Sequence, residues 1–331
     1  MRSASLFWLA MPTLVLAALC VVHLSSGAVP IGLTQVVSAF LRFDPDNYDH
    51  VIVIYQRLTR LSVALYAGAS LGVAGFLLQK IMQNWLVSPS TLGINAGATN
   101  FVVLAVFLLG WHGADLFLPA LAGGLTAMGL TFLLGQMLQG QGDARLTIVL
   151  AGAMVGTLFS SATAFVIALE PDSFANLIGW LVGDIGNFDY QELASMGPLG
   201  LAALLAAVIG SRAVDVLSLG KEQASALGAN VPVIYGGALL TAIALTVSAV
   251  TIVGPIGFVG LIMPHVARLL VGETGRRPLW LCLTGGAGIL AAADGLARTV
   301  MAPRVLNVGT VMSLTGGVIF LVLLLSVMRK S

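Results

Sequence analysis

Long apolar runs fill this chain, and no other feature of the sequence constrains its fold as strongly. The first extends from Leu6 to Val22, and comparable runs recur as far as the C-terminus. A helix needs ~20 apolar residues to cross a bilayer, whereas the strands of a membrane barrel alternate apolar and polar residues. Only 9% of the residues are charged, which is too few to cover the surface of a soluble protein of this length. The sequence therefore predicts an all-α polytopic membrane protein.

Polar and Gly/Pro breaks divide these runs into ten predicted transmembrane helices within one domain of residues 1–331. The first run also resembles a signal peptide, but its length favours a transmembrane helix. The eighth is short and interrupted. We predict the spans at 6–25, 60–82, 92–110, 115–138, 145–168, 193–214, 232–253, 256–272, 279–300 and 309–328.

The distribution of charge predicts the orientation. Ten spans place both termini on one side of the membrane, and with that side cytoplasmic, ten of the 15 Lys and Arg residues fall on it. An excess of Lys and Arg in cytoplasmic loops is the general rule, so both termini are predicted to be cytoplasmic. Two external segments, 26–59 and 169–192, carry apolar patches that predict short helices, the second around Trp180.

Two apolar segments are interrupted by glycine and proline at comparable places in the two halves of the chain. They read NWLVSPSTLGINAGA (84–98) and TIVGPIGFVGLIMPH (251–265). Paired interruptions indicate a transport pathway built from inverted repeats, and helix breakers are tolerated where they line a cavity. A weak inverted repeat is therefore expected. The predicted pathway and gate residues are Asn84, Pro89, Asn95, Ser160, Ser161, Gly254, Pro255 and Pro264.

Few charges lie within or beside the spans, so each one is informative. Asp294 and Arg298 are four residues apart and can pair on one helix face. Alternatively, Arg298 is presented outward to a partner. Arg57 and Arg60 lie just before the second span. They are expected either to bind carboxylates of another protein or to snorkel to lipid headgroups.

The longest cytoplasmic loop, DVLSLGKEQASALGANVP (215–232), predicts a short helix at 217–229. Ser218 is expected to cap it and Gly228 to end it. An amphipathic helix of this kind suits a groove in a soluble subunit, although it would also rest well on lipid. The predicted coupling residues are Leu219, Gly220, Glu222, Ala226, Leu227 and Gly228.

The sequence contains no catalytic or metal-binding pattern. Its only Gly-Lys pair, in LGKEQ, lacks the P-loop spacing, and neither HExxH nor CxxC occurs. The four histidines are dispersed, and Cys20 and Cys282 lie inside apolar runs. We therefore expect a protein that is not an enzyme, with no cofactor, no metal site and no nucleic-acid partner.

Three blocks of sequence resemble the FecCD family, the permeases of iron-siderophore, haem and cobalamin ABC importers. They are RLTRLSVALYAGASLGVAGFLLQKIMQNWLVSPSTLGINAGA (57–98), LSLGKEQASALGANV (217–231) and GPIGFVGLIMPHVAR (254–268), and ADGLAR (293–298) matches a shorter fourth element. The resemblance runs over nearly the whole chain. It implies ten helices per subunit in the cobalamin-permease-like fold of type II ABC importers.

The resemblance also implies partners and roles. Two permease subunits, with a slight preference for two different ones, would surround one pathway in the inner membrane of a bacterium. Two cytoplasmic ATPases and a periplasmic or lipid-anchored binding protein would complete the complex, and 217–231 would insert into the ATPase. The positions matching binding-protein docking are Arg57, Arg60 and Arg298. Residues that replace the usual family prolines are Thr59, Trp85 and Asn307.

The expected function is therefore ATP-driven import of a ferric siderophore, which is the commonest cargo of the family. Haem and cobalamin stay as alternatives, because no residue demands one cargo. The rival class is a secondary transporter driven by an ion gradient. Such a transporter needs buried acids near the bilayer midplane, whereas Asp294 is predicted off-centre beside Arg298.

Overall fold

The computed structural model describes residues 2–27, 29–138, 144–186 and 190–328, and the ordered elements in these ranges are helical. A π-helical stretch, Ile52–Arg57, joins α3 to α4, and 3₁₀ turns lie at Gly113–Leu116 and Pro171–Leu177. The α-helices are α1 (Arg2–Ser25), α2 (Leu33–Leu41), α3 (Tyr48–Val51), α4 (Leu58–Met82), α5 (Ile94–Leu109), α6 (Phe117–Met137), α7 (Ala144–Leu169), α8 (Ile178–Leu181), α9 (Tyr190–Leu217), α10 (Lys221–Ala226), α11 (Val231–Val253), α12 (Val259–Val271), α13 (Arg276–Thr299) and α14 (Val308–Met328).

Every predicted span falls on one of these helices, which confirms the helical membrane architecture. Within the described ranges, six helical segments are long and apolar enough to cross a bilayer, and four shorter apolar helices accompany them. The total of ten spans stays a prediction. The short helices expected in the two external segments are present as α2 and as the pair formed by Pro171–Leu177 and α8.

The second span differs from its prediction, because helix begins at Tyr48 rather than at residue 60. The prediction placed the segment 48–59 outside the span, with Arg57 just before it. The structure buries the Arg57 side chain instead, so the helix continues through this polar stretch into α4.

Helix α4 forms the centre of the molecule, since 89% of its most apolar window is buried. Helix α13 packs along α4 so closely that their backbones touch. A methyl group on Gly68 would lie 2.8 Å from the carbonyl carbon of Gly286 and 2.9 Å from Cβ of Leu290. Glycine at these positions therefore sets the distance between the two helices.

The interrupted segment before α12 is a backbone break buried inside the protein. Gly254 ends α11 with φ +74°, and Phe258 takes the unusual φ +68° before α12 begins at Val259. Pro264 lies within α12 and cannot donate a hydrogen bond to the preceding turn. Gly260, one turn earlier, packs its backbone against Gly75 of α4.

Candidate functional site

An uncharged groove of about 880 Å³ runs along α5 and α7 and past the breaks that precede α5 and α12. Its surface is mostly apolar, with seven hydroxyl side chains and the amide of Asn95 distributed along it, and none of the described residues along it carries a charge. Such a surface can bind a solute through several weak hydrogen bonds. Its polar side chains are those of Ser90, Thr91, Asn95, Thr99, Thr157, Ser160, Ser161 and Thr163.

The two interrupted segments meet at one wall of this groove. The side-chain Nδ2 of Asn95 donates to the hydroxyl of Ser90 at 3.1 Å and to the carbonyl of Ile256 at 3.2 Å. Pro89 packs against Gly260, where an added methyl would lie 3.1 Å from the proline ring. The sequence pairing of the two interruptions thus corresponds to a direct contact in space.

Helix α7 contributes a continuous stripe to the groove. Val149, Ala153, Thr157, Ser160 and Ala164 recur at the three- and four-residue spacing of one helix face. Only 28% of the most apolar window of α7 is buried, against 89% for α4. Two hydroxyl residues of this face, Thr157 and Ser160, are exposed in the single chain, and small and hydroxyl residues are enriched where membrane helices meet one another.

The predicted pathway residues fall in three places. Asn95, Ser160, Ser161 and Pro255 line the groove. Asn84 and Pro264 instead line a separate cleft of about 400 Å³ near the end of α4. Pro89 and Gly254 pack against backbone, Pro89 against Gly260 and Gly254 against the carbonyl of Trp180.

The three arginines predicted for docking gather at one end of the bundle, here called the arginine end. Asp294 is fully buried there and accepts from three side chains. Arg60 donates to Oδ1 through Nη2 at 2.6 Å and Nε at 3.2 Å, and Arg298 donates to Oδ2 through Nε at 3.1 Å. His23 Nε2 lies 2.8 Å from the same Oδ2. The predicted pairing of Asp294 with Arg298 is confirmed.

Arginine side chains also bind carbonyls at the C-terminal end of α1 and in the residues that follow it. Arg57 donates to the carbonyls of Leu24 and Val29 at 2.7 and 2.5 Å. Arg298 donates at 3.1 Å to two further carbonyls of the same segment. The last carbonyls of a helix lack partners and carry partial negative charge, so guanidinium groups stabilise them.

These contacts bear on both interpretations of the arginines. Arg57, Arg60 and Arg298 are buried, with 5%, 9% and 7% of their surfaces exposed. Their guanidinium groups bind Asp294 and the end of α1, so the structure does not present Arg298 outward as one alternative expected. A docking role stays a prediction, and it would use groups that already have partners within this chain.

The predicted coupling helix is shorter than expected. Helix α10 covers Lys221–Ala226, and Gly220, with φ +102°, precedes it. The prediction that Ser218 caps the helix is wrong, because its hydroxyl donates to the carbonyl of Asp215 at 2.6 Å. Gly228, with φ +81°, follows the helix as predicted. Leu219 and Leu227 are exposed at 52% and 69%, which leaves an apolar surface uncovered.

Several residues near these sites were missed by sequence reasoning. His23 lies 271 positions from Asp294, and a lone histidine gives no local signal of its partner. Thr157 follows the spacing of the polar stripe on α7 and could have been found by marking hydroxyl residues on one face. Lys80 and Asp215 form an ion pair that joins the ends of α4 and α9.

Comparisons with known proteins agree with this architecture. The ferric enterobactin transport system permease protein FepD of Escherichia coli (strain K12) is 36% identical over 323 residues, which is 95% of each chain. The Fe(3+) dicitrate transport system permease protein FecD of the same organism is 33% identical over 314 residues, 94% of this chain and 96% of that protein. A solved metal-chelate type ABC transporter in an inward-facing conformation has a TM-score of 0.79 at 26% identity, covering 96% of this chain and 98% of the other.

A bundle of membrane-length helices beside an uncharged groove fits a transport permease, and FepD and FecD are both named as transport system permease proteins. The sequence profile of the FecCD transport family matches residues 15–326. The chain belongs to the FecCD transport family.

Proposed function

We propose that this chain is the membrane-spanning permease subunit of an ATP-binding-cassette importer that carries a ferric siderophore across the cytoplasmic membrane. The observation that carries this proposal is the uncharged groove in which hydroxyl side chains and the amide of Asn95 lie among apolar ones. FepD and FecD are named as permeases for ferric enterobactin and Fe(3+) dicitrate, which supports an iron chelate as the cargo. Asn95, Ser160, Ser161 and Pro255 would line the pathway.

The proposed topology has ten spans with both termini in the cytoplasm, in the inner membrane of a bacterium. The arginine end then faces outward. The opposite end is here called the loop end. It contains the C-terminal ends of α4 and α9, the whole of α10 and the N-terminal end of α13, and it faces the cytoplasm. Lys80, Arg212 and Arg268 lie on that side in this arrangement, as the positive-inside rule requires. Asn84 and Pro264, in the cleft at the loop end, would belong to the inner gate.

A second permease subunit would supply the other wall of the pathway. The hydroxyl stripe of α7 lies open on one side in the single chain, so the groove is incomplete without a neighbour. FepD and FepG are two permease proteins named for one ferric enterobactin system, which supports a pair of different subunits. Two ATPase subunits and one binding protein complete the proposed complex.

Helix α10 is the proposed contact with the ATPase. Leu227, which directly follows α10, is exposed, and the glycine turn at Gly228 comes next. Burying an exposed leucine side chain against a partner stabilises the complex by about 1.5–3 kcal/mol, and a charge in its place would have to be desolvated. We expect Leu227→Asp to abolish copurification of the ATPase with the permease, and Leu227→Met to preserve it. Equal recovery of ATPase with both variants would contradict the assignment.

Docking of the binding protein is proposed at the arginine end. Reversing Arg57, Arg60 or Arg298 would place a new carboxylate beside Asp294 or the end of α1, and would disturb the fold as well as docking. A test that leaves the fold of the permease intact alters the binding protein instead. Neutralising acidic residues on the docking face of the binding protein should weaken its measured affinity for the permease complex, while neutralising acids on its opposite face should not.

Uptake by the purified complex in liposomes tests the whole proposal. We expect ATP and loaded binding protein to drive uptake of a ferric siderophore, and haem and cobalamin to be taken up poorly in the same assay. Uptake of haem or cobalamin alone would correct the cargo. Uptake driven by a proton gradient without the ATPase would overturn the importer mechanism in favour of a secondary transporter.

A further inference from the structure

We propose that Asp215 is a positioning residue that connects the coupling helix α10 to the central helices α4 and α13. This inference rests on the proposed role of α10. Asp215 lies in the last turn of α9, shortly before α10 begins at Lys221. Its Oδ1 accepts from Nζ of Lys80 on α4, and its Oδ2 accepts from the backbone N–H of Gly275 at 2.8 Å. One carboxylate thereby joins three elements at the loop end.

The connection is partly shielded from water and is reinforced beside it. The side chains of Lys80 and Asp215 are exposed at 9% and 19%, so solvent screens their attraction less than that of a surface pair. Gln83, which follows α4, donates from Nε2 to the carbonyl of Leu217 at 2.9 Å. The end of α9 is thus held by two side chains from α4 or its C-terminal cap.

Beyond this point, α4 and α13 form one stiff unit. Their backbones touch at Gly68 and Gly286 and again at Gly72 and Cys282, so one helix cannot slide without displacing the other. At ~1.5 Å per residue, α4 alone is long enough to span the bilayer. The unit ends in the ion pair between Arg60 and Asp294. A push on α10 by the ATPase can therefore reach the arginine end through Asp215.

A bond that only supports the local fold would lower stability without changing the yield of transport. The experiment therefore measures the ratio of uptake to ATP hydrolysis in the complete complex in liposomes, with loaded binding protein. We expect Asp215→Ala to lower uptake per ATP at least tenfold while ATP turnover stays within twofold of wild type. Asp215→Asn retains an acceptor for Gly275 and should lose less. Asp172→Asn, an exposed acid outside this network, is the matched control.

A wild-type ratio in Asp215→Ala would overturn the inference. If that variant does not assemble, Lys80→Gln decides the matter from the α4 side, with a lowered ratio expected and an unchanged ratio contradicting the proposal. The Leu227 variants separate this from the proposed function. If Leu227→Asp keeps the ATPase bound, α10 is not the coupling helix. The proposed contact of α10 with the ATPase and the inference about Asp215 then both fail. If Leu227→Asp releases the ATPase but Asp215→Ala transports normally, only this inference fails.

Discussion

At the scale of single residues, the arginine end shows how a membrane protein can bury several charges. Asp294 has no exposed surface, yet both of its oxygens accept hydrogen bonds from cationic or polar side chains. Arg57 and Arg298 find further acceptors in the last carbonyls of α1. Buried charges are tolerated when such partners are complete, and removing one partner is costly because the others stay buried.

Replacing Asp294 by asparagine should therefore destabilise the protein strongly. The change keeps the size of the side chain but leaves Arg60 and Arg298 without a carboxylate, at a cost of about 3–5 kcal/mol. The measurement is the free energy of unfolding of the purified permease in detergent–lipid micelles. Asp172→Asn, on the exposed turn before α8, should stay within about 0.5 kcal/mol of wild type. Equal stability of the two variants would show that the ion pairs contribute little.

At the scale of helices, glycine decides which pairs approach closely. The backbones of α4 and α13 touch at Gly68 and Gly286, whereas Gly129 on α6 has open space beside it. The same residue type thus serves as a packing surface in one helix and has no neighbour in another. Small residues of this kind drive helix association where lipid replaces water as the solvent.

Alanine at Gly68 should separate the two helices, because its methyl group would overlap the backbone of α13. Overpacking of this kind costs about 1–3 kcal/mol. Gly129→Ala is the matched control and should be neutral or stabilising, since alanine favours helix over glycine by about 0.5–1 kcal/mol. Thermal unfolding of both variants in the same lipid checks the pair. A similar loss in both would mean that close packing at Gly68 is not what stabilises the bundle.

At the scale of the whole molecule, the groove lies between two ends with different chemistry. The arginine end ties α1, α4 and α13 together through charges, and the loop end ties α4, α9 and α13 together through Asp215. Between them, the groove is neutral along its described length. Among the described residues, the ion pairs thus lie at the two ends, and none of them lines the groove.

Blocking the groove should stop transport without unfolding the protein. Thr157→Phe fills space on the groove face of α7, and we expect uptake of the ferric siderophore to fall at least tenfold. Thr126→Phe on α6 is a close control, because both hydroxyls donate to the carbonyl four residues earlier and both side chains are exposed. Uptake by the complex in liposomes is the measurement. Full uptake by the Thr157 variant would remove the groove from the pathway.

Much of the fold could be predicted because apolar runs of membrane length identify helices directly. The start of the second span could not, since Gln56 and Arg57 suggest a loop until the C-terminal carbonyls of α1 are seen beside Arg57. The predicted cap at Ser218 was wrong because its hydroxyl has two possible kinds of partner. Serine can bond either to a following N–H or to a preceding carbonyl, and the sequence does not distinguish the two.

The candidate site was predictable in its parts but not in its grouping. The breaks at 84–98 and 251–265 were recognisable from glycine and proline, and they do meet in space. What the sequence does not reveal is which polar residue faces which neighbour. Asn95 lines the groove, whereas Asn84 lines the cleft at the loop end, although both belong to the same interrupted segment.

The neutral lining of the groove has a consequence for how such an importer evolves. Solutes of different shape can form the weak hydrogen bonds that such a groove offers, and none of them would be held tightly. The groove itself would therefore contribute little to substrate selectivity. Selectivity would then depend on the proposed substrate-binding protein. Under the proposed function, a change from one iron chelate to another would require a different binding protein, and this subunit would serve both.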